Sequence, residues 1–346
     1  MPEAVLEKAH DQLMEWGNSG QSIMEMSHRS PEFVDIAERA EQDFRDLLSI
    51  GDDYAVLFVH GGASMQFSAV PLNLLEGKTS ADYVNTGVWS KKAIAEAKRY
   101  CNPNVVASAE PNNFSSIPAF EQWQLNPDAA YLHYTANETI GGVEFDWVPD
   151  VNVPLVADMS STILSRPIDV SRYGVIYASA QKNIGPAGLA IVIVRRDLLG
   201  KASEQTPALL NYQIAAENDS MYNTPPTFAL YLSGLSFQWL KQQGGLTAIE
   251  VINQRKAEKL YAAIDNSDFY GNPVEVCSRS KMNVPFKLIN ADLDKRFLQE
   301  AEVAGLLNLK GHRSVGGVRA SIYNAVTEQA VDALIEFMQS FERRNS

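Results

Sequence analysis

Apolar positions recur along this chain with two alternating periods. Val5, Leu6, Ala9, Leu13 and Trp16 fall near 3.6-residue spacing and predict an amphipathic helix over Pro2 to Trp16. Ser30-Pro31-Glu32 then makes a good helix start. It joins a capping hydroxyl, a proline in the first turn and an acid at the positive end of the helix dipole, and the helix is expected to run to about Leu48. The apolar run Tyr54 to Val59 predicts a buried strand that ends at His60-Gly61-Gly62-Ala63-Ser64 and enters a helix through Leu75. Asp82 to Asn85 reads as a short strand and Trp89 to Tyr100 as a helix. Ala130 to His133, Leu155 to Ala157 and Val175 to Tyr177 read as further strands.

This alternation argues for an α/β fold whose largely parallel sheet is covered on both faces. Only Ser179 to Gly188 separates Tyr177 from the strand Leu189 to Val194, too short a link for a helical crossover, so that pair is expected to be antiparallel. Pro225-Pro226 opens a long helix that ends near Gln243, where Gly244-Gly245 is a stop signal. The domain boundary is expected there. A large domain would span 1–243, with a first helix that could pack with either part, and a smaller α+β domain would span 244–346.

Composition narrows the function classes. Against 29 basic residues stand 42 acidic ones, a net charge of −13 over 346 residues. Bulk charge therefore argues against wrapping nucleic acid or an anionic membrane, though local basic sites remain open. Two cysteines, Cys101 and Cys277, make neither a disulfide framework nor a Cys-rich zinc site, and no His-Glu-x-x-His run exists, so no metal is expected. The first twenty residues lack the basic start and apolar block of a signal peptide, and no apolar run approaches the ~18 residues of a membrane helix. The expectation is a cytoplasmic protein.

In open α/β sheets, ligands bind beyond the carboxyl ends of the strands. Three predicted strand ends carry candidate chemistry. Gly61-Gly62-Ala63-Ser64 joins a strand to a helix, where small residues let backbone N–H groups approach a phosphate. Alone it reads equally as a tight turn, because it matches neither the P-loop nor the dinucleotide pattern. Asp158 follows an apolar run, and a carboxylate there is costly unless it meets a cation such as the protonated ring nitrogen of pyridoxal phosphate; a helix cap or turn is the plain alternative. Lys182 sits among small uncharged neighbours in Ala178-Ser179-Ala180-Gln181-Lys182-Asn183, flanked by two apolar runs. Desolvation there would lower the amine's pKa and make it a better nucleophile toward a carbonyl, whereas a surface loop lysine is the ordinary alternative. An aldehyde-binding lysine, a carboxylate for a ring nitrogen and a phosphate cup together are more specific than any one of them.

The run Ala180 to Gly188 resembles the cofactor-lysine segment of the phosphoserine aminotransferases, fold-type-I pyridoxal phosphate enzymes of the class V aminotransferase group. The resemblance spans nearly the whole chain. It includes Met26-Ser27-His28-Arg29, Asn137-Glu138-Thr139-Ile140, Asp158-Met159-Ser160-Ser161, Tyr222-Asn223-Thr224-Pro225-Pro226, Lys310-Gly311-His312-Arg313 and Gly316-Gly317-Val318-Arg319. It implies a fold-type-I architecture: a mostly parallel sheet with one antiparallel strand, plus a smaller C-terminal α+β domain. It further implies that Lys182 carries the cofactor's aldehyde, Asp158 pairs with the ring nitrogen and Trp89 stacks on the ring. Ala63, Ser64 and Gln181 would lie at the phosphate, and Thr139 at the ring hydroxyl. Asn223 and Thr224 would reach the cofactor phosphate of the other subunit, so the resemblance implies a homodimer with shared active sites.

On the substrate side, His28-Arg29 and His312-Arg313 pair imidazoles with guanidinium forks suited to carboxylates and phosphates, and Arg319 lies nearby. Surface salt bridges are the plain alternative for each pair. The resemblance implies that Arg319 grips the substrate α-carboxylate while His28, Arg29, His312 and Arg313 surround the distal phosphate or carboxylate, the first pair from across the dimer. Two features depart from the family pattern. Ser64 stands where some members carry a phosphate-binding arginine. The chain starts at Met1-Pro2-Glu3, just past the place of the Phe-Ser-x-Gly-Pro segment that usually opens the family and lines the substrate site. The implied activity is amino transfer between L-glutamate and 3-phosphonooxypyruvate in serine biosynthesis, with a pyridoxine-pathway substrate open as a second use. The alternatives are another class V enzyme, such as a serine–pyruvate-type aminotransferase or a cysteine desulfurase, and a catalytically impaired scaffold of the same fold.

Overall fold

The computed structural model describes residues 1–345. In chain order, α1 (Glu3–Leu13) and α2 (Pro31–Leu48) lead to β1 (Tyr54–His60), α3 (Ala63–Leu74), β2 (Ser80–Asn85), α4 (Val88–Ala97) and β3 (Asn102–Ser108). Then come β4 (Leu132–Thr135), the short hairpin strands β5 (Asn137–Glu138) and β6 (Val143–Glu144), β7 (Leu155–Asp158), β8 (Val175–Ser179) and β9 (Leu189–Arg195). Helices α5 (Tyr212–Glu217), α6 (Thr227–Gln242) and α7 (Gly245–Asp265) follow. The chain closes with β10 (Tyr270–Gly271), β11 (Asn283–Leu288), α8 (Asp294–Val303), β12 (Val318–Ser321) and α9 (Glu328–Arg343). Among the described residues, no helix is long and apolar enough to cross a membrane.

Seven strands form one sheet in the order β1-β9-β8-β7-β4-β2-β3. β9 runs antiparallel to both neighbours, pairing Tyr54 with Arg195 on one side and Val175 with Val194 on the other. All other neighbours are parallel. The expected antiparallel pair is therefore present. The uninterrupted apolar runs serve two cores, as strands buried on both faces require. Tyr54, Val56 and Phe58 of β1 and Ile191 and Ile193 of β9 face α2 and α6, whereas Ala55, Leu57, Val192 and Val194 face the side of α3 and α4. The same alternation turns His133, Thr135, Asp158, Tyr177 and Ser179 toward α3 and α4.

Helix α2 starts where the sequence places it: the Ser30 hydroxyl accepts a hydrogen bond from Phe33 N at 3.3 Å. Helix α1 is shorter than its apolar spacing predicts. It ends at Leu13, and Gly17 at φ +57° carries the chain into a turn, so Trp16 lies beyond the helix. Val5 and Ala9 join the core on the α6 side of the large sheet, and the Tyr231 hydroxyl of α6 donates to Gln12. Strand β3 was not expected. It lies at the sheet edge and carries Asn102-Pro103-Asn104, with only Val106 wholly buried in its length, so it shows no apolar run.

The C-terminal part folds around a small antiparallel sheet, β10-β11-β12, whose core includes Phe286, Phe297 and Phe341. Helix α7 spans both cores, with Leu246 and Ile249 in the large one and Leu260 and Ile264 in the small one. Asparagines tie the two parts: Asn137 Nδ2 to Asn283 Oδ1 at 3.1 Å, Asn324 N to Asn183 Oδ1 at 3.0 Å, and Asn253 Nδ2 to Ser165 O at 3.0 Å. Lys256 of α7 is wholly buried and donates to three carbonyls, Ile322 and Tyr323 at 3.0 Å and Val326 at 2.9 Å. It thereby holds the turn between β12 and α9. Replacing it by methionine keeps the volume but leaves those carbonyls without a donor. Lys256→Met is expected to lower unfolding stability by roughly 2–4 kcal/mol, read by urea denaturation at fixed pH. A change below about 0.5 kcal/mol would show that the turn does not depend on the amine.

Candidate active site

Three strand ends and two turns build the site. After β1, Gly61 takes φ +87°, a left-handed conformation that glycine adopts without strain, and its N–H donates to Gly188 O at 3.0 Å. Gly62 lies so close to the end of β8 that a Cβ there would stand 2.9 Å from Ser179 Oγ. Ala63 N donates to that hydroxyl at 2.6 Å. The first turn of α3 is thus bolted to β8 with its N-terminus open to the cavity. β7 ends at Asp158. After β8 the chain turns tightly, with Ile184 N and Gly185 N both bonded to Ala180 O, and Lys182 projects from this turn. Ala63, Ser64, Trp89, Thr139, Asp158, Gln181 and Lys182 all line one cavity, together with Thr135, Asn137, Ser160, Ser161 and Ser179.

Two opposite charges face this cavity. Asp158 is 4% exposed and accepts two hydrogen bonds on Oδ1, from Ser160 N at 2.9 Å and Ser160 Oγ at 2.6 Å. Burial pushes its pKa up, while the Lys182 ammonium and the Ser160 donors pull it down. The Lys182 amine donates to Thr139 Oγ1 at 2.7 Å and lies 5.8 Å from the centre of the Trp89 ring. Burial pushes its pKa down to about 8; Asp158 and Glu138 oppose that fall and Arg319 adds to it. Near neutral pH an appreciable share of this amine is unprotonated, which an exposed lysine at about 10.4 is not.

Trp89 forms one wall, at the start of α4. Its indole Nε1 and the hydroxyl of Thr135 are buried without a hydrogen-bond partner. Arg319 on β12 reaches the rim through Thr139, a lining residue: its Nη1 donates to Thr139 O at 3.4 Å, and its Nε is likewise buried and unpaired among the described residues. Buried polar atoms with no partner are uncommon, and two of these belong to residues that line the cavity, free to meet a bound group or water there. A nucleophilic amine, a carboxylate facing it, a flat aromatic wall and a helix N-terminus suit an aromatic aldehyde that bears a basic ring nitrogen and a phosphate. The residues present therefore fit pyridoxal phosphate. Among the described residues no group of three or more His, Cys, Asp and Glu side chains is placed to hold a metal ion.

The other expected site residues lie outside this cavity. His60 Nε2 donates to Thr224 O at 2.7 Å beside the end of β1, and Asn223 lies 3.4 Å from the same nitrogen, both on an exposed surface. His28 and Arg29 lie in the turn before α2. His312 and Arg313 sit at the tip of the hairpin closed by Gly311 N to Gly317 O; His312 Nδ1 pairs with Ser314 Oγ at 2.7 Å and Arg313 lines a separate groove with Asp294 and Lys310. None of the substrate-side candidates lines the cavity of its own chain among the described residues; Arg319 comes nearest to it, through its bond to Thr139. Sequence reasoning gave no role to Glu138, Ser160 and Ser179. All three lie one or two residues from candidates that were named, so the neighbours of those candidates at the strand ends were the signal.

A family model described as aminotransferase class-V matches residues 1–334. The phosphoserine aminotransferase of Hahella chejuensis is 63% identical, with 100% of this chain and 96% of that protein covered. That of Pseudomonas aeruginosa is 60% identical with the same coverage. Among solved structures, the phosphoserine aminotransferase from Bacillus circulans subsp. alkalophilus matches with a TM-score of 0.98 at 44% identity, covering 100% of this chain and 96% of that one. The pyridoxal-phosphate-bound phosphoserine aminotransferase from Trichomonas vaginalis matches with a TM-score of 0.95 at 43% identity, covering 98% and 97%.

The charge arrangement has a direct readout. In protein without cofactor, amine-selective labelling of the Lys182 peptide should titrate with a midpoint near pH 8. Asp158→Asn removes a charge that favours the ammonium and should move the midpoint lower. A midpoint near 10.4, as for an exposed lysine, would mean that the amine is not desolvated.

Proposed function

The chain belongs to the class-V aminotransferases, and from that premise we propose that it is a phosphoserine aminotransferase. It moves an amino group from L-glutamate to 3-phosphonooxypyruvate, giving 2-oxoglutarate and O-phospho-L-serine, in serine biosynthesis. The observation that carries this reading is the pairing, across one cavity, of a desolvated lysine amine with a buried carboxylate. The cofactor is pyridoxal phosphate, which the Trichomonas vaginalis relative holds. When bound, it supplies an aldehyde that condenses with primary amines and a protonated ring that accepts the electron pair left by α-proton loss.

This chain's residues divide the remaining work. Lys182 presents an amine unprotonated often enough near pH 8 to act as nucleophile and then as the base that takes and returns the α-proton. Thr139 Oγ1 fixes that amine's position. Asp158, oriented by Ser160, would hold the ring nitrogen and, as a carboxylate, would favour its protonated form. The Trp89 ring limits tilting and excludes water. The open N–H groups at the start of α3 and the Ser64 and Gln181 side chains would receive the phosphate. Arg319, with an unpaired Nε, would hold the substrate α-carboxylate.

The same reading extends to a homodimer. Asn223, Thr224, His28 and Arg29 lie outside the cavity of their own chain, which supports their serving a second copy. His312 and Arg313 would complete the distal phosphate site. The two unpaired cysteines support a reducing, cytoplasmic setting. A phosphorylated hydroxythreonine of pyridoxine synthesis would fit the same phosphate-directed site.

Purified protein reconstituted with pyridoxal phosphate should transaminate 3-phosphonooxypyruvate with glutamate, and alanine should be a poor donor in its place. Lys182→Ala should lose on the order of 10²–10⁴-fold or more in kcat while still folding. Equal use of alanine and glutamate, or a Lys182→Ala variant with substantial turnover, would contradict the assignment. Arg319→Lys replaces a planar fork by a point charge and should raise KM for glutamate about tenfold, roughly 1.4 kcal/mol. An unchanged KM would remove Arg319 from the substrate site.

A further inference from the structure

Glu138 is a carboxylate with no exposed surface and, among the described residues, no salt bridge. A buried carboxylate is costly unless donors surround it. Here the donors all come from the first turn of α4: Trp89 N to Oε2 at 2.9 Å, Ser90 N to Oε1 at 2.9 Å and Ser90 Oγ to Oε1 at 2.7 Å. The fit is tight enough to dictate a neighbour. A Cβ on Gly87 would stand 2.5 Å from the carboxyl carbon, so the approach of the two elements requires glycine there. The residue after Glu138 is Thr139, whose Oγ1 accepts from Lys182 and whose carbonyl accepts from Arg319. A single dipeptide thus touches the aromatic wall's helix, the reactive amine and the substrate-side guanidinium.

We propose that Glu138 is a positioning residue of the cofactor pocket: its buried carboxylate fastens the first turn of α4, and with it the Trp89 ring, to the strand end that carries Thr139, and it supplies the second negative charge facing Lys182. A neutral cap would satisfy the helix end equally well, since serine and asparagine are good N-caps. Burial pushes the Glu138 pKa up, while the Ser90 and Trp89 donors of α4 pull it down and so favour the carboxylate; in that form the side chain adds what a neutral cap lacks, an opposite charge that partly offsets desolvation of the amine. The charged groups facing Lys182 are Asp158 from β7, Glu138 from β5 and Arg319 from β12. Removing Glu138 leaves one carboxylate against one guanidinium.

The inference rests on the pyridoxal phosphate reading, and its test separates the two. Glu138→Gln keeps the shape and removes the charge; Glu138→Asp keeps the charge and shortens the reach to α4. The first readout is the pH midpoint of Lys182 labelling in protein without cofactor, followed on the Lys182 peptide. The second is the Kd for pyridoxal phosphate. Glu138→Gln should lower the midpoint by half a unit or more, and Glu138→Asp should leave it within about 0.3 unit while weakening cofactor binding about tenfold. Ser90→Ala loosens the helix end without altering charge and should leave the midpoint in place. An unchanged midpoint in Glu138→Gln, or an equal fall in Ser90→Ala, would reduce Glu138 to a helix cap. Should Glu138→Gln fail to fold, parental cofactor affinity in Glu138→Asp would overturn the proposal alone. Failure of the cofactor reading looks different: the parent protein itself would not bind pyridoxal phosphate.

Discussion

An amine and a carboxylate removed from water at the ends of two neighbouring strands constrain nearly everything else in this molecule. Neither charge is comfortable alone: burial drives the Lys182 amine toward its neutral form and the Asp158 carboxyl toward its protonated one, and each opposes the other's shift. That mutual support holds only if β7 and β8 are adjacent, parallel and in fixed register. They are, with Asp158 opposite Tyr177. The polar strand ends fix this register, because slipping β7 by one residue would turn Asp158 from the cavity into the apolar core beside α2 and α6.

The surrounding packing serves the same pair. β9 returns antiparallel beside β8 and leaves room only for a tight turn, which pushes Lys182 into the cavity instead of burying it under a crossover helix. Ser179 at the end of β8 anchors the start of α3, and Glu138 at the end of β5 anchors the start of α4. Two helix N-termini are therefore held against the sheet's carboxyl edge, one by a side chain three residues before Lys182 and the other by the residue next to Thr139, which binds the Lys182 amine. The small sheet delivers Arg319 from the opposite side, and its position relative to the cavity is set by the asparagine bridges at Asn137–Asn283 and Asn183–Asn324.

Much of this was legible in the residues. Continuous apolar runs gave the central strands, the Ser30-Pro31-Glu32 start gave α2 to the residue, and the short link after Tyr177 gave the antiparallel pair. The edge strand β3 was invisible because an edge needs no apolar alternation, and the β5–β6 hairpin because its strands are two residues each, too short for any alternation to show. Burial of Glu138 depends on α4 arriving from fifty residues earlier in the chain, which no local pattern encodes. The same limit applies to His312 and Arg313. They stand close to Arg319 in sequence, yet a hairpin carries them to its tip, away from the cavity whose rim Arg319 reaches. Proximity along the chain bounds separation in space only loosely when a turn intervenes.

The central claim is that charge on Asp158 and charge on the cofactor ring stabilise each other across the pocket. Nitrogen-15 NMR of the protein reconstituted with ring-labelled pyridoxal phosphate reads this directly at pH 8. The ring nitrogen should be protonated in the parent protein and unprotonated in Asp158→Asn. An unprotonated nitrogen in the parent would contradict the claim.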